Sequence, residues 1–300
     1  MNFNVREDII QLTSKWTGER FPDGRPRVPD RYLEALRGMT LEEVWKPIFT
    51  LGYESQFEGR LHTLHNDDRK LVGRAVTCTY APTRPDLLET VFAIGKSEGR
   101  KGNFNQWVVD TLVEGDVLVA DMYDKIYKGT FLGGNLTTAV QARTKNGGAV
   151  IWGGVRDVEQ MKQVPDVQVY YRGIDPTPIR DFVMTGFNTP TRLGGAIVLP
   201  GDVVFGAGGG VLFIPAHLVP DVVDGAAKTH VKDIFGFEMI TQNIFTTAQI
   251  DKNTWTEDML DLLMKFIKED PRGEEYRSLD WSKEYDAARN GDPNDTQTAL

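Results

Sequence analysis

The alternation of apolar and polar positions divides this chain into short buried strands and amphipathic helices. Residues 71–80 (LVGRAVTCTY) and 116–121 (DVLVAD) have the apolar, β-branched composition of buried strands. Residues 133–157 (GGNLTTAVQARTKNGGAVIWGGVRD) predict a helix that ends at Gly147 and Gly148, a wholly apolar strand, and a polar corner at Arg156 and Asp157. These segments predict a strand–helix–strand unit of a parallel sheet.

Further helices are predicted before and after this unit in the sequence, several of them amphipathic. Thr40 and Glu43 have the spacing of a capping box, which predicts a helix start. The Pro200-Gly201-Asp202 turn is predicted to link two strands, and the sequence from Asp270 onward is polar enough to predict an arm or a disordered tail. Further helices are predicted over residues 5–16, 30–37, 86–95, 103–114, 216–233 and 256–268.

The predicted unit places candidate ligand-binding groups at one edge of the sheet. Asn135 is predicted to be the helix N-cap, which leaves the amides of Leu136 and Thr137 free. The loop before a crossover helix and the loop after the next strand meet at the carboxyl edge of a parallel sheet. The amides would therefore face Arg156 and Asp157 across a crevice, with residues 123–132 as a loop above it. Free amides and a guanidinium suit a carboxylate ligand, and the Asp157 carboxylate suits a divalent metal, so a small anionic substrate is expected.

Composition narrows the class of protein. The chain has 300 residues, 40% of them hydrophobic and 26% charged, with a net charge of −9 and one cysteine. The negative charge argues against binding to nucleic acid, and the single Cys78 excludes an internal disulfide. The N-terminus is charged too early for a signal peptide, and no apolar run approaches a membrane span. We therefore expect a cytoplasmic protein that binds neither nucleic acid nor membrane.

Other candidate sites in the sequence are weaker. The glycine run 206–210 (GAGGG) lies between two strands with no helix after it, so a tight turn explains it better than a dinucleotide loop. Lys125 and Lys128 could form a Schiff base, but neither is in an apolar setting that would lower its pKa. The four histidines show no ligand spacing; they are His62, His65, His217 and His230.

Three motifs resemble those of the RraA-like family, which contains 4-hydroxy-4-methyl-2-oxoglutarate aldolases and the regulator of ribonuclease activity A. Asn135 and Arg156-Asp157 have the spacing of the family's signature at a helix start and at the following Arg-Asp pair. Residues 195–202 (GAIVLPGD) with 210–215 (GVLFIP) resemble its strand pair, and residues 72–77 (VGRAVT) resemble an earlier strand.

The resemblance implies an α/β fold, namely a swivelling β/β/α layered domain with N- and C-terminal helical extensions. We expect a mainly parallel sheet with helices on both sides and one antiparallel strand pair. The expected segments are an N-terminal helical arm (1–39), the catalytic domain (40–235), and a C-terminal helical extension with a polar tail (236–300). The family's members are usually trimers or hexamers with sites at subunit contacts, so we expect a homotrimer or hexamer whose extensions wrap a neighbouring subunit.

The resemblance also implies a class II, metal-dependent aldolase, a carbon–carbon lyase that cleaves a small 4-hydroxy-2-oxo acid to pyruvate and a second carbonyl compound. Oxaloacetate decarboxylation is a further expected activity, because it forms the same enolate. Arg156 and Asp157 are the expected catalytic residues, and Asp157 is the expected ligand of Mg²⁺ or Mn²⁺. The expected substrate-binding residues are Gly134, Asn135, Leu136, Thr137 and Arg156.

At two places the sequence does not match the family's pattern fully. The family usually has acidic residues near Ala207 and Gly208, where this chain has none, and Asp233 is only a loose match for an acid that reaches a neighbour's site. The alternative function is a non-enzymatic regulator that binds another protein, as the ribonuclease-inhibitor members do. A methyltransferase has no support, since no glycine-rich nucleotide loop follows a first strand.

Overall fold

The computed structural model describes residues 3–66 and 68–291. The chain divides into two compact units, Met1–Val222 and Val223–Leu300. The expected N-terminal arm, residues 1–39, thus lies within the first unit, and the division between the units falls 13 residues before the predicted boundary at 235 (235 − 222). Within the described residues, no helix combines the length and apolarity needed to cross a membrane.

The first unit is built on β-strands, which are numbered here in chain order. They are β1 (Phe57–Glu58), β2 (His62–Thr63), β3 (Leu71–Pro82), β4 (Asp116–Leu132), β5 (Gly148–Val155), β6 (Gln168–Ile174), β7 (Phe182–Phe187), β8 (Thr191–Leu193), β9 (Ala196–Val198), β10 (Val203–Ala207) and β11 (Gly210–Ile214). Nine of these strands form one sheet in the order β1-β11-β10-β3-β4-β5-β6-β2, with β7 also paired to β3. A separate two-stranded ribbon is formed by β8 and β9.

The centre of the sheet is parallel and its margins are antiparallel. The pairings β3–β4, β4–β5 and β5–β6 are parallel, which confirms the predicted strand–helix–strand unit. Five antiparallel pairings complete this sheet among the described residues, so it is a mixed sheet and the expectation of a mainly parallel one is wrong. Two of the antiparallel strands, β1 and β2, have only two residues each and lie in sequence without a strand pattern.

Seven α-helices are described in the first unit before the helix that leads into the second. They are α1 (Arg6–Leu12), α2 (Asp30–Arg37), α3 (Leu41–Thr50), α4 (Pro85–Ser97), α5 (Phe104–Val109), α6 (Gly134–Thr144) and α7 (Val158–Met161). The predicted capping box is confirmed at the start of α3. The Thr40 hydroxyl accepts from the Glu43 amide at 3.3 Å, and the Glu43 carboxylate accepts from the Thr40 amide at 2.7 Å.

Successive residues of the central strands enter two different apolar cores, because side chains alternate across a strand. Val76 of β3 and Ala120 of β4 join a core with α4, α5, α6 and α7. Ala75 and Val119 join a second core with Leu193 and Val198 of the β8–β9 ribbon. The arrangement is a β/β/α layering, as the family resemblance predicts. The expectation of helices on both sides is wrong, because the ribbon packs where a second helical layer was expected.

The N-terminal segment is fixed to the sheet by a buried ion pair. The Arg25 guanidinium donates to both carboxylate oxygens of Asp116 at 2.8 and 3.2 Å. Their side chains are only 3% and 0% exposed. The neighbouring Arg74 on β3 donates to the Val28 carbonyl at 2.7 Å. Arg25, Pro26 and Val28 are therefore part of the first unit's packed interior.

The second unit is helical. Its elements are α8 (Val219–Thr241), which begins before the division, then α9 (Thr247–Ile250), α10 (Glu257–Glu269), the 3₁₀ helix Pro271–Tyr276, and α11 (Ser282–Asn290). Tyr276 and Trp281 are buried in a core with Phe235 and Leu263. The prediction of an arm or a disordered tail from Asp270 onward is therefore wrong as far as residue 290, because these two aromatic side chains anchor a polar segment. Residues 292–300 of the predicted tail lie outside the described residues.

Candidate active site

Strand β4 approaches the site along a bulged path. The predicted strand ends at Asp121, but β4 continues to Leu132, and its register with β5 shifts after Asp121, Lys125 and Thr130. The expected loop over the crevice is thus a continuation of the strand. Two glycines of β5 permit this, since a Cβ at Gly153 would lie 2.5 Å from the Met122 Cβ and a Cβ at Gly154 would lie 2.9 Å from the Ile126 carbonyl oxygen.

Helix α6 starts two residues earlier than predicted. Its N-cap is Gly133, and the Thr137 amide donates to the Gly133 carbonyl at 3.0 Å. The amides without an intrahelical acceptor are therefore those of Gly134, Asn135 and Leu136, and the prediction of a free Thr137 amide is wrong. The reason is a cap supplied from elsewhere in the chain: the Gly134 amide donates to the Asp157 carboxylate at 3.4 Å.

Arg156 and Asp157 follow the end of β5. The Arg156 amide donates to the Leu132 carbonyl at 2.9 Å, which fixes the end of β5 against the end of β4. Asp157 is the N-cap residue of α7, with φ 54° and ψ 36° in the left-handed region. Its Oδ2 lies 3.5 Å from Arg156 Nε, and the two side chains are 39% and 40% exposed. The pair is thus fixed through its backbone and open to solvent through its side chains.

Gly133 allows the start of α6 to approach this pair closely. A Cβ at position 133 would lie 2.6 Å from Asp157 Oδ2, 3.1 Å from Arg156 Cγ and 3.2 Å from Arg156 Nε. The backbone of Gly133 is extended, with φ −145°, so conformation alone would permit another residue there. The requirement for glycine comes from the contact with the charged pair.

A cavity of ≈ 620 Å³ opens at this corner. Of the described residues that line it, only Arg156 and Asp157 are charged. Thr137, which the sequence placed at the site, is buried in the helix, and Thr138 lines the cavity in its stead. The lining residues are Asn103, Asn105, Gln106, Thr130, Phe131, Gly133, Gly134, Asn135, Leu136, Thr138, Arg156, Asp157, Gln160, Pro178 and Ile179.

The start of α5 and residues 178–179 also line the cavity, and no site residue is predicted there from the sequence. Asn103 and Gln106 form a capping box at the start of α5, and this pattern is visible in the sequence. Nothing in the sequence indicates that the start of α5 lies beside α6, because that proximity arises from packing in the helical layer.

The donor set of the cavity fits a hard divalent ion. Mg²⁺ and Mn²⁺ take oxygen ligands, and Mg²⁺ keeps several waters, so the Asp157 carboxylate suits such an ion. Across the part of the chain that the structure describes, no group of three or more His, Cys, Asp or Glu residues is placed to hold a metal. A site of this kind would therefore bind its ion weakly and through one direct carboxylate.

Two other nucleophilic side chains, Lys128 and Cys78, lie in unsuitable surroundings. The Lys128 ammonium donates to the Asp181 carboxylate at 2.9 Å, and this hydrogen bond raises the pKa of Lys128, whereas a Schiff-base amine needs a lowered pKa. Burial raises the pKa of the Cys78 thiol to about 12. The glycine run forms the predicted tight turn, in which Ala207 pairs with Gly210 and Gly208 has φ +49°.

Comparison with known proteins assigns the chain to a family. A family model for RraA-like proteins, described as Aldolase/RraA, matches residues 41–213. The chain belongs to the RraA-like family. The matched residues include the motifs at 72–77 and 195–202, the first four residues of the motif at 210–215, and the Asn135–Asp157 segment, whereas Asp233 lies beyond them on α8.

Solved structures support the RraA-like fold. An uncharacterized protein from Pseudomonas syringae pv. tomato str. DC3000 has a TM-score of 0.62 at 18% identity, over 78% of this chain and 98% of that chain. A Streptomyces coelicolor protein, described as an unusual member of the RNase ES inhibitor RraA protein family, has a TM-score of 0.57 at 20% identity, over 71% of this chain and 97% of that one. In sequence, the chain is 26% identical over 155 residues to an uncharacterized protein of Methanocaldococcus jannaschii, covering 50% of this chain and 74% of that protein.

Proposed function

We propose that this RraA-like protein is a divalent-metal-dependent aldolase that cleaves a small 4-hydroxy-2-oxo acid to pyruvate and a second carbonyl compound, with oxaloacetate decarboxylation as a side activity. The observation that carries the proposal is the open corner in which Arg156 and Asp157 face the first amides of α6. Both side chains are about 40% exposed in a cavity of ≈ 620 Å³, so the corner has room for a ligand.

The residues of the corner have complementary roles in this reaction. The amides of Asn135 and Leu136 and the Arg156 guanidinium bind the oxygens of the 2-oxo acid. Asp157 is the residue that would hold Mg²⁺ or Mn²⁺, and the bound ion would supply positive charge beside the 2-oxo group. The proton of the C4 hydroxyl leaves to a water positioned by Arg156, and the C3–C4 bond breaks. Arg156 then donates to the oxygen of the pyruvate enolate, where negative charge develops.

The test of the proposal is pyruvate release from 4-hydroxy-2-oxo acids before and after treatment with a chelator. Activity should disappear with the chelator and return with added magnesium or manganese. Asp157→Asn should abolish metal-dependent turnover without unfolding the protein, because Asn tolerates the left-handed backbone and keeps an oxygen for the Gly134 amide. Full activity in chelator-treated protein or in this variant would refute the metal mechanism.

A matched control separates charge from backbone effects. Asp166 is also an exposed aspartate in the left-handed region, with φ 57°, and does not line the cavity. Asp166→Asn should therefore leave both pyruvate release and the melting temperature unchanged.

The alternative function is a regulator that binds another protein. The fold similarity to the Streptomyces coelicolor protein is compatible with it, since that protein is described within an RNase inhibitor family. A chain with no lyase activity on any 4-hydroxy-2-oxo acid would favour the regulator. We also propose a homotrimer or hexamer with the site at a subunit contact, and sedimentation of a stable, active monomer would contradict this assembly.

A further inference from the structure

The charges of the candidate active site are confined to one corner of the cavity. Arg156 and Asp157 are adjacent in sequence, and their side chains lie 3.5 Å apart. The described lining residues from α5 and from 178–179 carry no charge. A substrate whose 2-oxo acid end occupies the Arg156–Asp157 corner would therefore meet only neutral groups along the rest of the cavity.

The neutral groups from the start of α5 include carboxamides held in fixed positions. Asn105 is 4% exposed. Its Nδ2 donates to the Phe131 carbonyl at 2.9 Å, and its Oδ1 accepts from the Gln106 amide at 3.1 Å. The Gln106 carboxamide oxygen accepts from the Asn103 amide at 2.7 Å. These contacts hold the carboxamides of Asn105 and Gln106 at the cavity wall.

Fixed carboxamides favour a hydroxyl over a carboxylate. A carboxamide both donates and accepts, which matches a hydroxyl group of the substrate. A carboxylate only accepts, and its removal from water is costly unless a cation or several donors replace the lost solvation. No cation lines this part of the cavity among the described residues, so a second carboxylate would be bound poorly there.

We propose that the substrate of this chain is a monocarboxylate, a 4-hydroxy-2-oxo acid whose far end is neutral and carries a hydroxyl group. This inference rests on the proposed lyase function and adds the substrate class to it. The C4 hydroxyl loses its proton, the C3–C4 bond breaks, and its electron pair passes to C3, which later takes a proton to give pyruvate. The C4 fragment leaves as a hydroxyaldehyde, and no oxidant or reductant is required.

Three five-carbon substrates that differ only at the far end test the proposal. They are 4,5-dihydroxy-2-oxopentanoate, 4-hydroxy-2-oxopentanoate and 4-hydroxy-2-oxoglutarate, which end in a hydroxymethyl, a methyl and a carboxylate group. With added magnesium, kcat/KM for pyruvate release should be highest for the hydroxymethyl substrate and at least about tenfold lower for the carboxylate substrate. A preference for the carboxylate substrate would overturn this inference while leaving the lyase function intact. No pyruvate from any of the three would overturn both.

A pair of variants tests the electrostatic reason for the preference. Pro178 is exposed and lines the cavity, so its replacement does not disturb a packed core. Pro178→Arg should raise kcat/KM for the carboxylate substrate relative to the hydroxymethyl substrate by about tenfold, because it adds the missing cation. Pro178→Gln is a neutral control and should leave the ratio unchanged. An unchanged ratio in Pro178→Arg, or an equal change in both variants, would overturn the inference.

Discussion

The contact between Gly133 and the charged pair predicts a variant that loses activity and keeps its fold. In Gly133→Ala the new Cβ would lie 2.6 Å from Asp157 Oδ2. An ordinary contact is about 3.4 Å or more, so the carboxylate must move by roughly 0.8 Å. Misplacement of a catalytic group by about 1 Å can cost roughly 100-fold in rate, so we expect pyruvate release to fall by roughly 10- to 100-fold.

The stability of Gly133→Ala should change little. The displaced group is the end of a side chain that is 40% exposed, and the extended backbone at position 133 accepts alanine. We expect the free energy of unfolding to change by less than about 1 kcal/mol. Urea denaturation and pyruvate release should be measured on the same preparation.

Gly195→Ala is the matched control for this substitution. A Cβ at Gly195 meets no described atom within 4 Å, so this variant should keep both its activity and its stability. Full activity in Gly133→Ala would refute the idea that the close approach of α6 positions Arg156 and Asp157. Unfolding of Gly133→Ala would show that the glycine serves the fold.

Three further predictions concern other charged side chains. Arg156→Lys keeps the charge but loses the forked donor pair. Transition-state stabilisation should therefore fall by about 2–4 kcal/mol, which steady-state assays of pyruvate release measure as a lower kcat. Arg25→Met leaves the Asp116 carboxylate buried without its partner and should destabilise the protein by about 3–5 kcal/mol, whereas Arg27→Met breaks an exposed pair and should cost less than about 1 kcal/mol in the same denaturation experiment. Burial raises the pKa of the Asp202 carboxyl to about 7. The folded protein therefore keeps a proton that the unfolded chain releases, and stability should fall by up to about 4 kcal/mol as pH rises from about 4 to about 7. Asp202→Asn should remove that part of the pH dependence, and a pH profile identical to that of the parent would contradict the assignment.

The sequence predicts the elements around the site well where the signals are local. The apolar runs of β3 and β5, the capping box of Thr40 and the glycine turn at 208 all depend on neighbouring residues, and each is present in the structure. The corner formed by Arg156 and Asp157 follows from the same local pattern together with the rule for parallel sheets.

Features that depend on distant residues could not be predicted in the same way. The cap of α6 comes from Asp157, 23 residues away, so the first free amides were misplaced. The extension of β4 depends on the absence of side chains at Gly153 and Gly154 in the partner strand. The contribution of α5 to the cavity requires packing within the helical layer, and α11 is secured by the buried Trp281 in an otherwise polar segment.

The shortness of β1 and β2 has a consequence for how copies of this protein can meet. These two-residue strands are the outermost members of the described sheet, at its opposite ends. An exposed strand edge is a template on which another chain can add, and very short edge strands offer too few unpaired amides and carbonyls for this. These two ends of the sheet therefore give another chain little backbone to pair with. Two copies that met at either of these ends would have to bind each other through side chains rather than by extending the sheet.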